Sequence, residues 1–197
     1  MTTDPFAGRD LFSEETFSGL SLSGPEPRSR HFEDCRFVEC RITERAFRVG
    51  SFLHCVFQNC DLSNWQIEGL RFVDVRFKSS KLVGLDWTSV KSDPLTSVGF
   101  EDCALDYADF SRFRLKDGLL KSCSVRDVNF SRTDLSGADC RDSDFTGSTF
   151  DETNLQKADL RGARGYGIDA RRNRVKGARF SLPDALGLLE ALEVKVE

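Results

Sequence analysis

The chain has 197 residues, 39% of them apolar, with a formal net charge of -4 and a pI near 5.4. That length and composition predict one domain able to build its core without a metal or disulfide staple. The acidic balance gives no reason to expect direct DNA binding. No stretch approaches about 18 uninterrupted apolar residues, and residues 1–24 lack a basic start followed by an apolar run, so neither a membrane span nor a signal peptide is expected and the reading is cytoplasmic.

Near the N-terminus, "PEPRS" at 25–29 puts Pro27 at a position that the rest of the chain reserves for large apolar residues, which marks a weak first end. From Phe32 the chain acquires a period of five: Phe37, Ile42, Phe47, Phe52, Phe57, and so on to Trp87, then again from Leu95 and Phe100 to Leu160. All 26 of these positions are apolar, and 15 of the 17 phenylalanines share the register. At the chain's own composition such a run arises by chance with a probability on the order of 10^-11. Neither the helical period of about 3.6 nor the strand period of 2 divides five, so no long helix or ordinary strand keeps these side chains on one face. Short extended pieces separated by corners do. With the large residue designated i, residue i-2 points inward beside it and is small or thin: Cys35, Cys40, Cys55, Cys60, Val75, Ser80, Cys103, Cys123, Ala138, Ala158. His31 at i-1 and His54 at i+2 point outward. The expected shape is a narrow tube filled by alternating small and large side chains.

Between the two runs the step from Trp87 to Leu95 is eight, so Thr88, Ser89, Val90, Lys91, Ser92, Asp93 and Pro94 contain an insertion of three residues that bulges from a corner. It is either a tolerated surface loop or a contact loop. Residues 134–159 carry Asp134, Asp139, Asp142, Asp144, Asp151, Glu152 and Asp159 against Arg141 and Lys157. Ordered carboxylates on a rod can imitate phosphates, and they are also ordinary occupants of outward positions. The pattern then decays through a basic stretch, with Arg164, Arg171, Arg172, Arg174, Lys176 and Arg179 against Asp169, read as a solvated rim or a contact for an acidic partner. In the tail, Ser181 and Asp184 form a predicted capping box with Pro183 in the first turn. Leu182, Ala185, Leu186, Leu189 and Leu192 then share one helical stripe, and Val194 and Val196 alternate as a short strand. The open end of a tube must be capped, and surplus apolar residues, Leu188 included, can pair with a second copy about a two-fold axis. Leu182, Leu186, Leu188, Leu189, Leu192, Val194 and Val196 are therefore the expected dimer interface.

No catalytic or cofactor motif stands out: there is no Gly-rich phosphate loop, HExxH or GxSxG, and neither histidine has a nucleophile or metal-ligand pattern around it. The expectation is a non-enzyme without cofactor.

The units "TDLSG", "ADCRD", "SDFTG", "TNLQK" and "ADLRG" resemble pentapeptide repeats. That resemblance covers roughly residues 10–180. It implies an all-β, right-handed quadrilateral β-helix with four repeats, twenty residues, per coil, here followed by a C-terminal helical cap over residues 181–197. Twenty residues per coil would stack Cys35 under Cys55, Cys40 under Cys60 and Cys103 under Cys123, leaving Cys140 at a central position, so all seven cysteines read as small core residues. "LVGLDWTSV" and "GYGIDARRNRVKGARFSLPDALGLLEALEVKVE" are closer still to the topoisomerase-protecting branch, meaning Qnr-like and albicidin-resistance-like proteins. That closer resemblance implies a homodimeric rod, joined through its C-termini and imitating duplex DNA, that binds DNA gyrase or topoisomerase IV and relieves poisoning by quinolones or natural toxins. It also makes the loop at 88–94 a candidate partner contact. A scaffold for some other protein is the alternative. About eight coils at roughly 4.8 Å make nearly 40 Å per subunit and about 80 Å per dimer, close to 24 base pairs of duplex.

Overall fold

A computed structural model describes residues 6, 8–24, 29–44, 46–47, 49–91 and 94–194. Pro27 and Val196 lie outside the described residues. The chain winds into a parallel β-solenoid of about eight coils. The short strands are β1 (Leu11–Ser13), β2 (Thr16–Ser18), β3 (Ser21–Leu22), β4 (Arg30–Glu33), β5 (Arg36–Val38), β6 (Arg41–Ile42), β7 (Gly50–Leu53), β8 (Val56–Gln58), β9 (Arg71–Val73), β10 (Val75–Lys78), β11 (Val98–Glu101), β12 (Leu120–Lys121), β13 (Asp159–Leu160) and β14 (Arg179–Phe180). One side of the tube is the sheet β1-β4-β7-β9, and the adjoining side is β2-β5-β8-β10-β11-β12. β3-β6 and β13-β14 make two further two-stranded sheets, and elsewhere the sides are held by single-residue parallel bridges, such as Asp109 to Asn129 and Asn129 to Thr149.

The register is the predicted twenty: Phe12 pairs with Phe32, Phe32 with Phe52, and Phe37 with Phe57. Across the insertion it becomes twenty-three, with Phe77 on Phe100. Pairing begins one residue later than the sequence reading assumed. The extended piece is i-1 to i+1, and i+2 makes the corner with positive φ, as at Asp34 (53°), Asn59 (56°) and Asp74 (49°). Asp and Asn recur at these corners because they tolerate the left-handed conformation better than other residues with a Cβ.

Stacked rings follow from the ladder. Phe12, Phe32, Phe52 and Phe72 form one column, with neighbouring centroids 4.9, 5.1 and 5.5 Å apart and planes within 15°. Phe17, Phe37, Phe57, Phe77 and Phe100 form a second. Trp87, Phe110, Phe130 and Phe150 form a third. These spacings lie close to the separation between strands, about 4.8 Å, so ring stacking and backbone pairing reinforce each other.

All seven cysteines are free and buried. Each of the six at i-2 donates its S–H to the carbonyl two residues earlier, at 3.2–3.4 Å. Burial pushes the Cys55 and Cys140 thiols up to about 12. In the later coils Ser and Thr take over. The hydroxyls of Thr133, Ser143, Ser148 and Thr153 donate to carbonyls 23 residues earlier, at 2.5–2.8 Å. Asn173, which the repeat pattern did not mark, continues this ladder: its Oδ1 accepts from Thr153 N at 2.9 Å, and its Nδ2 donates to the Phe150 carbonyl at 3.1 Å.

At the N-terminal end an arginine sits where the tube should be apolar. Arg30 is buried, its guanidinium 4.8 Å over the Phe6 ring and bonded to the Arg9 carbonyl. One coil above lies Gly50, where any Cβ would collide with the Arg30 carbonyl. At the other end the expected helix is reduced to a 3-10 turn, Asp184–Leu186, followed by one helical turn, α1 (Gly187–Glu190). The capping box does not form. Pro183 is the N-cap, and the Ser181 hydroxyl instead accepts a hydrogen bond from Gly162 N at 3.1 Å, tying the tail to the last coils. Val194 is not in a strand; its amide closes a turn onto the Leu189 carbonyl at 3.1 Å. Among the described residues no helix is long and apolar enough to cross a membrane.

Candidate functional site

Three surfaces follow from the sequence: the inserted loop, the acidic positions and the C-terminal leucines. The loop starts later than its register suggests. Asp86 caps a short 3-10 turn, Trp87–Ser89, accepting from Thr88 N at 2.9 Å and Thr88 Oγ1 at 2.6 Å. Ser89 accepts from Gly69 N at 3.0 Å, and Lys91 N donates to the Leu70 carbonyl at 2.8 Å. Ser89 and Lys91 are thus rungs of the ladder, and Val90 is a core residue, 6% exposed. The ladder is rejoined at Ser97, whose carbonyl accepts from Val75 N at 3.1 Å. The bulge therefore lies between the ladder bonds of Lys91 and Ser97. Ser92 and Asp93 lie outside the described residues, and Pro94 and Leu95 are exposed.

Leu95 is a correction. Its place in the fives predicts a core residue above Phe72, yet it is 62% exposed. Three extra residues cannot be absorbed inside a coil of fixed perimeter, so the unit that would have carried it is extruded. Trp87 closes the space: its ring lies 5.6 Å from Phe72 and 5.9 Å from Phe113, an oversized side chain facing the core. A cleft of 350 Å³ opens at the foot of the bulge, lined by Trp87, Thr88, Val90, Ser111, Arg112 and Phe113.

The acidic positions are mostly paired. Arg141 binds Asp139 at 2.7 Å, Arg172 binds Asp151 at 2.6 Å, Arg132 binds Glu152 at 2.9 Å and Arg161 binds Asp159 at 2.6 Å. Asp144 is buried between Arg126 at 2.7 Å and Arg164 at 3.0 Å. Burial opposes its charge, but hydrogen bonds from Thr146, Arg126 and Arg164 outweigh that and hold the carboxyl well below the usual range. The guanidiniums of Arg141 and Arg161 likewise depress Asp139 and Asp159. Asp134 accepts from Asn154 Nδ2 at 2.9 Å. Asp142 is exposed, with no cationic partner among the described residues. Counting local charge missed Arg126, Arg132, Arg164 and Arg172 because they sit 18 to 21 residues from their partners; applying the twenty-residue pitch to the charges as well as to the core finds them.

Of the C-terminal candidates, Leu182 is 76% exposed, Leu186 37%, Leu192 41% and Val194 48%. Leu188 and Leu189 are half-buried, Leu188 packing partly against the core. Tyr166 and Phe180, 5.4 Å apart, close the last coil beneath them. One group of side chains among the described residues could approach a cation together: Glu33, Asp34 and His54, all exposed, with ligand atoms within 4.8 Å of one another.

The Pentapeptide repeats family matches residues 120–164, in eight copies. That stretch is made of pentapeptide repeats. Among solved structures, the chain is similar to full-length QnrB1, a plasmid-mediated fluoroquinolone resistance protein, with a TM-score of 0.57 and 19% identity over 93% of this chain and 90% of that one. It is also similar to a trypsin-treated form of QnrB1, with a TM-score of 0.54 and 20% identity over 95% of this chain and 91% of that one. No curated protein matches it by sequence.

Proposed function

We propose that this protein is a non-catalytic, cytoplasmic protector of a type II topoisomerase, DNA gyrase or topoisomerase IV, against poisons of the quinolone or albicidin kind. The observation that carries the reading is the likeness of fold to full-length QnrB1, which extends over 93% of this chain and 90% of that one. In this reading the rod is a dimer joined through Leu182, Leu186, Leu188, Leu189, Leu192, Val194 and Val196. Of the acidic positions, Asp139, Asp142, Asp151 and Asp159 face the enzyme's DNA-binding surface, and the bulge with its flanking residues, Thr88 to Pro94, makes a specific contact. Supercoiling by purified gyrase in the presence of a poison should be restored by the protein. Deleting the three residues Ser92 to Pro94, beyond the last ladder bond at Lys91, should weaken that rescue while the β circular dichroism signal stays. Absence of both rescue and gyrase binding, tested across several poisons, sinks the reading.

A second reading is a scaffold for a different protein partner. The arginine pairing of Asp139, Asp144, Asp151, Glu152 and Asp159 favours it, because charges satisfied within the rod leave less bare negative potential for imitating phosphates. Co-purification dominated by a protein other than a topoisomerase would favour this reading.

A further inference from the structure

Net charge averages over a molecule whose sides are not alike. On the side of the tube that carries Leu115, Leu135, Leu155 and Val175 inward, the outward positions of four successive coils run from Arg112 to Gly177. They hold eight Lys or Arg against Asp117, Asp134 and Glu152. That side is +5 in a chain of -4, so the remainder of the chain carries -9. Arg132 and Arg172 are committed to Glu152 and Asp151. The other six, Arg112, Arg114, Lys116, Lys157, Arg174 and Lys176, are exposed and have no ion-pair partner among the described residues.

We propose that this side binds the phosphate backbone of duplex DNA. Three observations favour that occupant over an acidic protein. First, its outward positions carry no apolar side chain, so it lacks the buried centre that a protein interface needs. Second, it carries no aromatic platform for unstacked bases, which points to duplex rather than single strands. Third, its cations form a lattice fixed by the fold. Arg114 and Lys116 are two residues apart on one extended piece, roughly 6.6 Å along it. Arg174 and Lys176 repeat that pair three coils on, about 14 Å away, comparable with a major groove about 12 Å wide. Each pair therefore sits opposite one wall of the groove. The contact is to backbone alone, so it is independent of sequence and steep in salt.

The test is fluorescence anisotropy of the intact protein on a labelled duplex of about 24 base pairs and mixed sequence, titrated between about 50 and 200 mM salt. Six contacts predict a slope of log K against log salt near -5, and so about a thousandfold loss of affinity across that range. Changing Arg114→Glu, Lys116→Glu, Arg174→Glu and Lys176→Glu together should bring the slope to about -2 or abolish binding, with circular dichroism and melting unchanged because all four side chains are exposed. Reversing Arg36→Glu and Lys81→Glu, on other sides of the rod, should change affinity less than about twofold. No binding at about 50 mM salt, or equal binding by the four-residue variant, overturns the proposal; the first result would leave an acidic protein surface as the occupant. The assay contains no topoisomerase, so its outcome is independent of poison rescue.

Discussion

The first and last coils follow one five-residue rule but turn their corners differently. Before Cys35, Cys40, Cys55, Cys60, Cys103 and Cys123 the corner is open: the thiol holds the i+1 carbonyl, and the piece that leads into each corner is a strand of two to four residues. Before Ala108, Ala138, Ala158, Ala163 and Ala178 the corner amide instead closes onto the carbonyl of residue i, at 3.0–3.2 Å, and pairing shrinks to bridges or two-residue strands. Alanine has no donor to offer, so the backbone satisfies itself. Thr133 and Ser148, which send their hydroxyls to the coil beneath, also sit on closed corners. An inward thiol thus goes with a strand and an inward alanine with a turn.

This contrast can be broken at graded cost. The largest effect is expected in the aromatic columns: Phe52→Ala, between Phe32 and Phe72, should cost about 3–5 kcal/mol and lower the melting temperature by roughly 10 °C or more. Next is Asp144→Asn in the turn-rich half, about 1.5–3 kcal/mol at neutral pH by urea titration. Because folding depresses this carboxyl, its stabilisation is present above the ordinary carboxylate pKa, about 4, and is lost as pH falls towards the folded value. The gap between wild type and variant should therefore narrow in acid; a constant gap would show that charge is not the cause. Cys123→Ala removes the donor that holds an open corner and should cost about 1 kcal/mol, with loss of strand signal in that coil by amide exchange. Smallest is Leu95→Ser, below about 0.5 kcal/mol, where Leu115→Ala one coil on should cost about 2–5. Equal costs at these two leucines would place residue 95 inside the tube after all.

Much of the fold was legible because one constraint repeats: the large residue at i and the thin one at i-2 both face a core of fixed width, so the period appears in composition alone. Leu95 was misread for the same reason, since counting in fives cannot tell an extruded unit from a buried one when both carry leucine. The tail was misread because Ser181 had two uses for its hydroxyl, and the amide of Gly162, a full coil earlier in the chain, claimed it. The candidate surfaces were only half legible. Their acids are visible as residues, but the arginines that neutralise them, and the side where cations go unpaired, emerge only when the sequence is wrapped at its pitch.

The way the ladder resumes at Ser97 has a practical corollary. Lys91 bonds to the coil below at one offset and Ser97 at another, yet Phe77 and Phe100 still stack at 5.3 Å, as flush as neighbours that no bulge separates. Extra length there is spliced out sideways without dephasing the later coils. Peptides of other lengths and sequences should be exchangeable between those two anchor points, making this corner a socket for grafted epitopes on a stiff rod.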